Sequence, residues 1–513
     1  MEALDVIVIG GGIVGLASAA HLRRDGLRFA VLERAGEVGG TWRDHDYPGC
    51  GADTEASTYV PLLEPLYSKK RFATRAELFE YCKLFARKHV GLKNIRLNHS
   101  VVGASFETKD HLWHIATNRG VLRARFVIWA NFSGADVTKA KRPVFEGQEQ
   151  FQGTIVHASE LPNDPGYFRN KRVAIVGCGA TSVQLVPSIA DAASRITLIS
   201  RTTPYIKKTR MTPGPKSLLG YRLQGAVLRC KNEIISIFDS HPHLEALYRW
   251  PYRFREYVLK RDGMPAAAIP PLTQPVQCTR RGYDYLGFRN SLKRPDVDFV
   301  SIAGSSGIER YTPDSLIVNG KTVQADIVVL ATGYHMAEIA FDISVDGETF
   351  SLDPHNIRGL YGVIDGLPNS LLAIFGSPLW IIPPRLAEFN TKTFLKLVRH
   401  MRRNGLTCAR INSAKAAKMT AMVQKLNRKH IVLQPDCPSY RYLLSNTGQE
   451  SAGQLPSKTA ANLPFLPFPT IVMELITRLT FSPRDFDFSS LGQASSGSPT
   501  AQKQVGDKVL QDA

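Results

Sequence analysis

Three stretches hold residues whose types and spacing suit chemistry. Gly10-x-Gly12-x-x-Gly15 follows an apolar run and opens a helix-period segment, and a carboxylate, Glu33, closes the next apolar run. The glycines permit a tight turn and a close backbone approach, and a helix N-terminus offers free N–H groups to a pyrophosphate. Glu33 can accept from both hydroxyls of an unphosphorylated adenosine ribose, which suits FAD or NAD. A second unit, Gly177-Cys178-Gly179-Ala180-Thr181-Ser182, repeats the pattern with serine as its third member. Glu33 lies 33 − 10 = 23 residues after its first glycine, and Ser200 lies 200 − 177 = 23 after its counterpart. Here the acid has become Ser200, followed by Arg201. Losing the acid removes repulsion of a 2′-phosphate, and the arginine can pair with one, so NADPH is the expected ligand. A charge-assisted hydrogen bond of roughly 1.5–3 kcal/mol corresponds to a ten- to hundredfold preference over NADH.

The third stretch is GGTWRDHDYPGCGAD, residues 39–53. It is too rich in Gly, Pro and aromatics for a regular helix. With FAD in the first unit, Gly39, Gly40 and Thr41 come close to the cofactor, Trp42 and Tyr47 can wall its ring, and Pro48-Gly49 fixes a turn. Asp53 then arrives near the reactive edge, where a carboxylate needs a partner or solvent. Two dinucleotide units in one chain suggest a flavin reduced by a nicotinamide. A strand ending in Ala331-Thr332-Gly333 fits a turn passing a dinucleotide at the domain junction.

The elements that must position these residues are two βαβ units, residues 5–34 and 171–201, each an apolar strand, a glycine turn, a helical segment and a second strand. The predicted fold class is α/β with two dinucleotide-binding, Rossmann-like domains. Residues 1–150 and 346–487 form the FAD-binding domain, and 151–208 and 276–345 the NADP-binding domain. Residues 209–275 form a helical insertion, and 488–513, rich in Ser, Gly, Gln and Lys, a disordered tail. FNTKTFLKLVRHMRRNG, near residue 395, reads as an amphipathic helix with a basic outer face.

The 513 residues are 43% apolar, enough for two or three domains. Seven scattered cysteines without a CxxC exclude a disulfide framework, a zinc site and a dithiol centre, and fit a reducing, cytoplasmic compartment. The apolar N-terminus imitates a secretion signal but lacks a basic start and carries Asp5, so it reads as structure. No run of about 18 uncharged apolar residues suggests a transmembrane segment. A formal charge of +19 could attract nucleic acid, anionic lipid or a polyanion, or simply be a solvated surface. No nucleic-acid motif accompanies it, and peripheral membrane contact stays open.

The 39–53 stretch matches the pattern [AG]-G-x-W-x4-[FY]-P-G-x3-D through Gly39, Gly40, Trp42, Tyr47, Pro48, Gly49 and Asp53. In this the chain resembles the flavin-dependent Baeyer–Villiger monooxygenases, which are related to the flavin-containing N- and S-oxygenases. Their second fingerprint, F-x-G-x3-H-x3-W-[PD], is similar to Phe151, Gly153, His157 and Pro162, with Leu161 in place of the tryptophan. The resemblance runs from residue 1 to about 345. It implies a flavin peroxide as oxidant, a small organic substrate and O2. It also implies an arginine over the flavin beside the loop's aspartate. Thr279-Arg280-Arg281 matches that arginine's motif, which places Arg281 as the catalytic cation and Arg280, with Arg201, on the NADP 2′-phosphate. The two arginines exchange roles if the register moves by one. His157 suits either transmission of domain motion or an ordinary structural role.

The match loosens at Asn131-Phe132-Ser133-Gly134, where a small residue has become phenylalanine, at Leu161, and after Gly366-Leu367-Pro368-Asn369 and Phe375-Gly376, where SPLWIIPPRLAEF replaces a glycine-rich turn. Oxygen insertion beside a ketone is the leading expectation. Oxygenation of nitrogen or sulfur, or hydroxylation, is the near alternative. A flavin oxidoreductase without oxygenation and a non-catalytic flavoprotein scaffold are the others.

Overall fold

The computed structural model describes residues 3–131, 135–201, 203, 205–209, 211–239, 262–269, 281–304, 307–336, 341–350, 358–360, 362–374, 383–427 and 482–491. Its first βαβ unit is strand β1 (Leu4–Ile9), helix α1 (Ile13–Arg24) and strand β2 (Phe29–Leu32). The second is β3 (Arg172–Val176), α2 (Ala180–Ile189) and β4 (Arg195–Ser200). Both appear where the apolar runs predict them. Val6, Ile7 and Val8 are fully buried, the continuous apolar pattern of a strand covered on both faces.

β1 and β2 lie parallel in a nine-stranded sheet. Its antiparallel arm is a meander of Val101–Glu107, Leu112–Thr117 and Gly120–Trp129. Asp342–Val345 adds to this arm in parallel, so the chain is back in the first sheet by residue 342, four residues before the expected boundary. Ile343, opposite Ala104 and 3% exposed, anchors that return. The second sheet has five strands, all parallel, in the order Thr154–His157, Ile327–Leu330, β3, β4, Val297–Ser301.

Of the insertion expected over 209–275, helix α3 (Leu218–Asp239) and one turn, Ala266–Ala268, are described; residues 240–261 lie outside the described set. β5 (Arg281–Asp284) then runs parallel to Tyr205–Lys208. Helix α4 (Pro383–Arg403) is the amphipathic helix expected near residue 395. It buries Phe394, Leu397, Val398 and Met401 and exposes Lys392, Lys396 and Arg399. Phe394 meets Phe126 edge-on at 5.7 Å, which fixes α4 to the sheet. His21 on α1 and Glu388 on α4 pair at 3.4 Å, and Glu388 also accepts from the Leu62 N–H at 2.9 Å.

The GLPN segment has a structural task. The Pro368 carbonyl accepts from Trp113 Nε1 at 3.0 Å, and the Asn369 amide joins Thr407 and Ala409. Phe486–Ser489 pairs with Cys408–Ile411 in a separate two-stranded sheet, so paired strand reaches residue 489, just inside the stretch where a tail was expected. Phe486, 5% exposed, holds it there. Residues 492–513 of that expected tail lie outside the described set, as do Phe132, Ser133, Gly134, Phe375 and Gly376.

A Cβ on Gly15 would stand 1.9 Å from the Gly10 carbonyl oxygen, whereas one on Gly36 would have no neighbour nearer than 3.6 Å. Gly15→Ala should therefore destabilise the protein by roughly 3 kcal/mol or more, and Gly36→Ala by well under about 1 kcal/mol, in urea unfolding. Equal effects would show that α1 does not need to pass so close to the turn.

Candidate functional site: two nucleotide cradles joined by a loop

At the end of β1, Gly10 has φ +109°, and Gly12 starts α1 without any side-chain cap. The first N–H groups of a 12-residue helix are thus left for a ligand. Glu33 follows β2 as predicted and is 5% exposed. Its carboxylate accepts from Gly11 N at 2.8 Å, Ala35 N at 2.9 Å and Arg43 Nη1 at 3.1 Å. Arg43, from the loop itself, escaped the sequence reading; it also forms a two-pronged pair with Asp44 at 2.7 and 2.9 Å. Crowded glycines, free N–H groups and a buried acid fit a pyrophosphate and ribose.

The 39–53 loop lies directly on this cradle. Gly39 N donates to the Gly11 carbonyl at 3.0 Å, and a Cβ on Gly40, at φ +53°, would meet the Gly12 Cα at 3.1 Å. One helical turn, Thr41–Asp44, does form inside the loop. Thr41 is exposed, while Trp42 is buried and donates through Nε1 to the Tyr59 hydroxyl at 3.0 Å. Tyr47 turns the other way. Its hydroxyl donates to Gln184 Oε1 at 2.7 Å, so it serves the contact with α2 instead of the first cradle. A Cβ on Gly49 (φ +81°) would fall 2.5 Å from the Gln184 carbonyl, so glycine is what lets loop and helix touch.

Gln184 is the second residue missed. Besides Tyr47, its amide nitrogen donates to the Gly51 carbonyl at 2.9 Å and to the Tyr285 hydroxyl at 2.7 Å. Asp53, two residues beyond Gly51, keeps an exposed surface, yet the protein atoms crowded around its carboxyl desolvate it and push it above the usual range. Burial likewise pushes up the phenols of Tyr285 and Tyr59, and the charge of Asp53 adds to both. Four residues before Tyr285 lies Arg281, whose backbone pairs with Tyr205. The side chain of Arg281, together with Thr279 and Arg280, lies outside the described residues, and so does any contact between Arg281 and Asp53.

The second cradle repeats the first. Gly177 has φ +108°, and Gly179 begins α2 without a side-chain cap. Ser182, fully buried, donates to the Gly177 carbonyl at 2.7 Å, turning the contact that would clash in the first cradle into a hydrogen bond. Thr181 stands beside the Tyr47 phenol. β4 ends at the buried Ser200, and Arg201 just beyond it is exposed. Thr332 donates to the Lys141 carbonyl, and the Gly333 carbonyl accepts from Lys141 N at 2.9 Å.

His157 is 1% exposed and its Nε2 lies 3.1 Å from the Gly333 carbonyl. A carbonyl only accepts, so Nε2 carries the proton, and Nδ1 accepts from Ser159 N at 3.2 Å. Tyr334 packs between this ring, at 5.1 Å, and that of His45, at 4.9 Å. Leu161 is 4% exposed and belongs to the second domain's apolar cluster. His45 Nε2 is buried with no hydrogen-bond partner among the described residues. Burial lowers its pKa to about 4, with Asp44 opposing and His157 assisting. The unfolded chain therefore takes up a proton near pH 6.5 and the folded one only near 4. Stability should fall as pH drops through that window, by roughly 3 kcal/mol from this group. Urea titrations of His45→Asn between those limits should show a flatter pH dependence than wild type; an unchanged slope would reject a neutral His45.

A protein-family model described as pyridine nucleotide-disulphide oxidoreductase matches residues 7–241. A Baeyer–Villiger monooxygenase of Streptomyces coelicolor is 29% identical over 398 residues, 73% of each chain. An oxidised steroid monooxygenase solved with NADP superposes with a TM-score of 0.79 at 22% identity, covering 95% of this chain and 99% of the other. OTEMO, solved in complex with FAD and NADP, gives 0.76 at 20% identity with the same coverage. These superpositions establish the shared fold. In its motifs and along most of its length, the chain is similar to flavin-dependent monooxygenases, Baeyer–Villiger enzymes among them.

Proposed function

We propose that the protein is an FAD- and NADPH-dependent monooxygenase that inserts oxygen beside a ketone carbonyl of a small organic substrate, giving an ester or lactone. The observation that carries this reading is the meeting at Gln184 of the Asp53 loop, the second cradle and the chain leading from Arg281. The curated relative bears the matching name, and the two structural neighbours hold NADP, one of them with FAD.

In this reading residues 1–150 and 346–487 hold FAD through Gly10, Gly12, Gly15 and Glu33, with Gly40, Thr41, Trp42 and Asp53 from the loop, while Tyr47 ties that loop to the second cradle. Residues 151–208 and 276–345 hold NADPH through Gly177, Gly179, Thr181, Ser182, Arg201, Arg280, Thr332 and Gly333. When bound, the two cofactors supply reducing equivalents and the ring at which O2 is activated. Asp53 and Arg281 are the reacting pair. Desolvation favours the neutral form of Asp53, and a guanidinium nearby reverses that preference. Unit charges about 4 Å apart attract by about 4 kcal/mol at an effective dielectric near 20. Held this way, Arg281 keeps its charge at every working pH and meets negative charge as it develops on the substrate oxygen.

Leu161 favours a second reading. A compact aliphatic side chain packs where the Baeyer–Villiger fingerprint has tryptophan, and oxygenation of nitrogen or sulfur uses the same cofactors. Product analysis on ketones, amines and sulfides separates the two.

Arg281→Ala should continue to oxidise NADPH within about tenfold of wild type while product falls a hundredfold or more, the NADPH consumed appearing as hydrogen peroxide. Undiminished product would remove Arg281 from the reaction. Arg201→Ala should lower kcat/KM for NADPH ten- to hundredfold and leave that for NADH nearly unchanged. An equal loss with both coenzymes would show that Arg201 does not read the 2′-phosphate.

A further inference from the structure

We propose that the outer face of α3, with the adjoining segment 62–70, rests on an anionic lipid surface. α3 is apolar on two opposite sides. Tyr221, Gly225 and Leu228 are buried and face inward. Leu219, Leu223 and Val227, spaced four apart and so aligned along the helix, are 78%, 64% and 60% exposed. A helix packed on one side ordinarily carries polar residues on the other. An exposed apolar line of this kind marks a surface that something covers.

The charge around it names the partner. From residue 201 to 232 the sequence has eight Lys or Arg and no Asp or Glu. Lys216 precedes the helix and Arg222 lies within it, both exposed. Lys69 and Lys70, also exposed, are brought alongside by the Gly214 N bond to the Lys69 carbonyl at 3.2 Å. Tyr67, half exposed, packs 6.1 Å from the inward-facing Tyr221, so the segment flanks α3 beside its outer face. A second copy packed symmetrically on this face would bring the same cations together, which repel. A nucleic acid would meet the cations and leave the leucine line uncovered. An anionic bilayer satisfies both, with apolar side chains at the acyl boundary and cations at the headgroups. No helix among the described residues is long and apolar enough to cross the membrane, so the contact is peripheral.

The test is co-sedimentation of the full chain with vesicles of phosphatidylcholine alone and of phosphatidylcholine mixed equally with phosphatidylglycerol. Binding should be at least about tenfold tighter to the mixed vesicles and should weaken with salt. The pairs Leu219→Glu with Leu223→Glu, and Lys69→Glu with Lys70→Glu, should each weaken it about tenfold or more, with thermal melting unchanged because all four side chains are exposed. Equal binding to both vesicles, no binding, or indifference to both pairs overturns the proposal. So does light scattering that finds a dimer dissolved by the leucine pair, since the face would then belong to a second copy.

Discussion

Three hydrogen bonds at one carboxamide hold the two nucleotide cradles in a common frame. Gln184 has one acceptor oxygen and two N–H donors placed in its recess. The oxygen takes the Tyr47 hydroxyl, and the nitrogen serves the Gly51 carbonyl and the Tyr285 hydroxyl. Only an uncharged amide of this length meets that demand. A carboxylate lacks the donors, and an aliphatic side chain would strip a partner from the buried Tyr47 hydroxyl and from the half-buried Gly51 carbonyl and Tyr285 hydroxyl. Because Gln184 sits on the helix that opens at Gly179, a displacement of the second cradle is felt at once by the loop that ends in Asp53.

The two cradles solve one steric problem in different ways. In the first, α1 passes so near the turn that no side chain fits at its third position, and Gly15 is required. In the second, the Ser182 side chain fits, and its hydroxyl bonds the carbonyl it approaches. A sequence pattern scores that serine as an imperfection; the geometry shows it as an alternative closure of the same turn.

Local features were legible from residue order alone. The βαβ units, the uncapped glycine turns, the acid after β2 and the amphipathic α4 each depend on spacing within a few tens of residues, which a linear reading can see. Features that depend on remote partners were not. Nothing near Arg43 announces that it will bond Glu33, and nothing in the order of residues marks Gln184 as the meeting point of positions 47, 51 and 285. Tyr47 was expected beside a flavin ring, as its aromatic type suggests, yet its hydroxyl is engaged across the domain contact. The return of residues 342–345 to the first sheet is likewise a pairing over more than 200 positions, fixed by Ile343 finding a buried place beside Ala104.

The strand ends of the two cradles differ in stiffness. Glu33 is already fastened from three directions before any ligand arrives, whereas Arg201 stands in solvent. A pre-set acceptor loses little conformational freedom when a ribose docks, and a loose cation loses more. On the proposed assignment this asymmetry separates a resident from a visitor: the flavin stays through many cycles, and the nicotinamide carrier comes and goes with each.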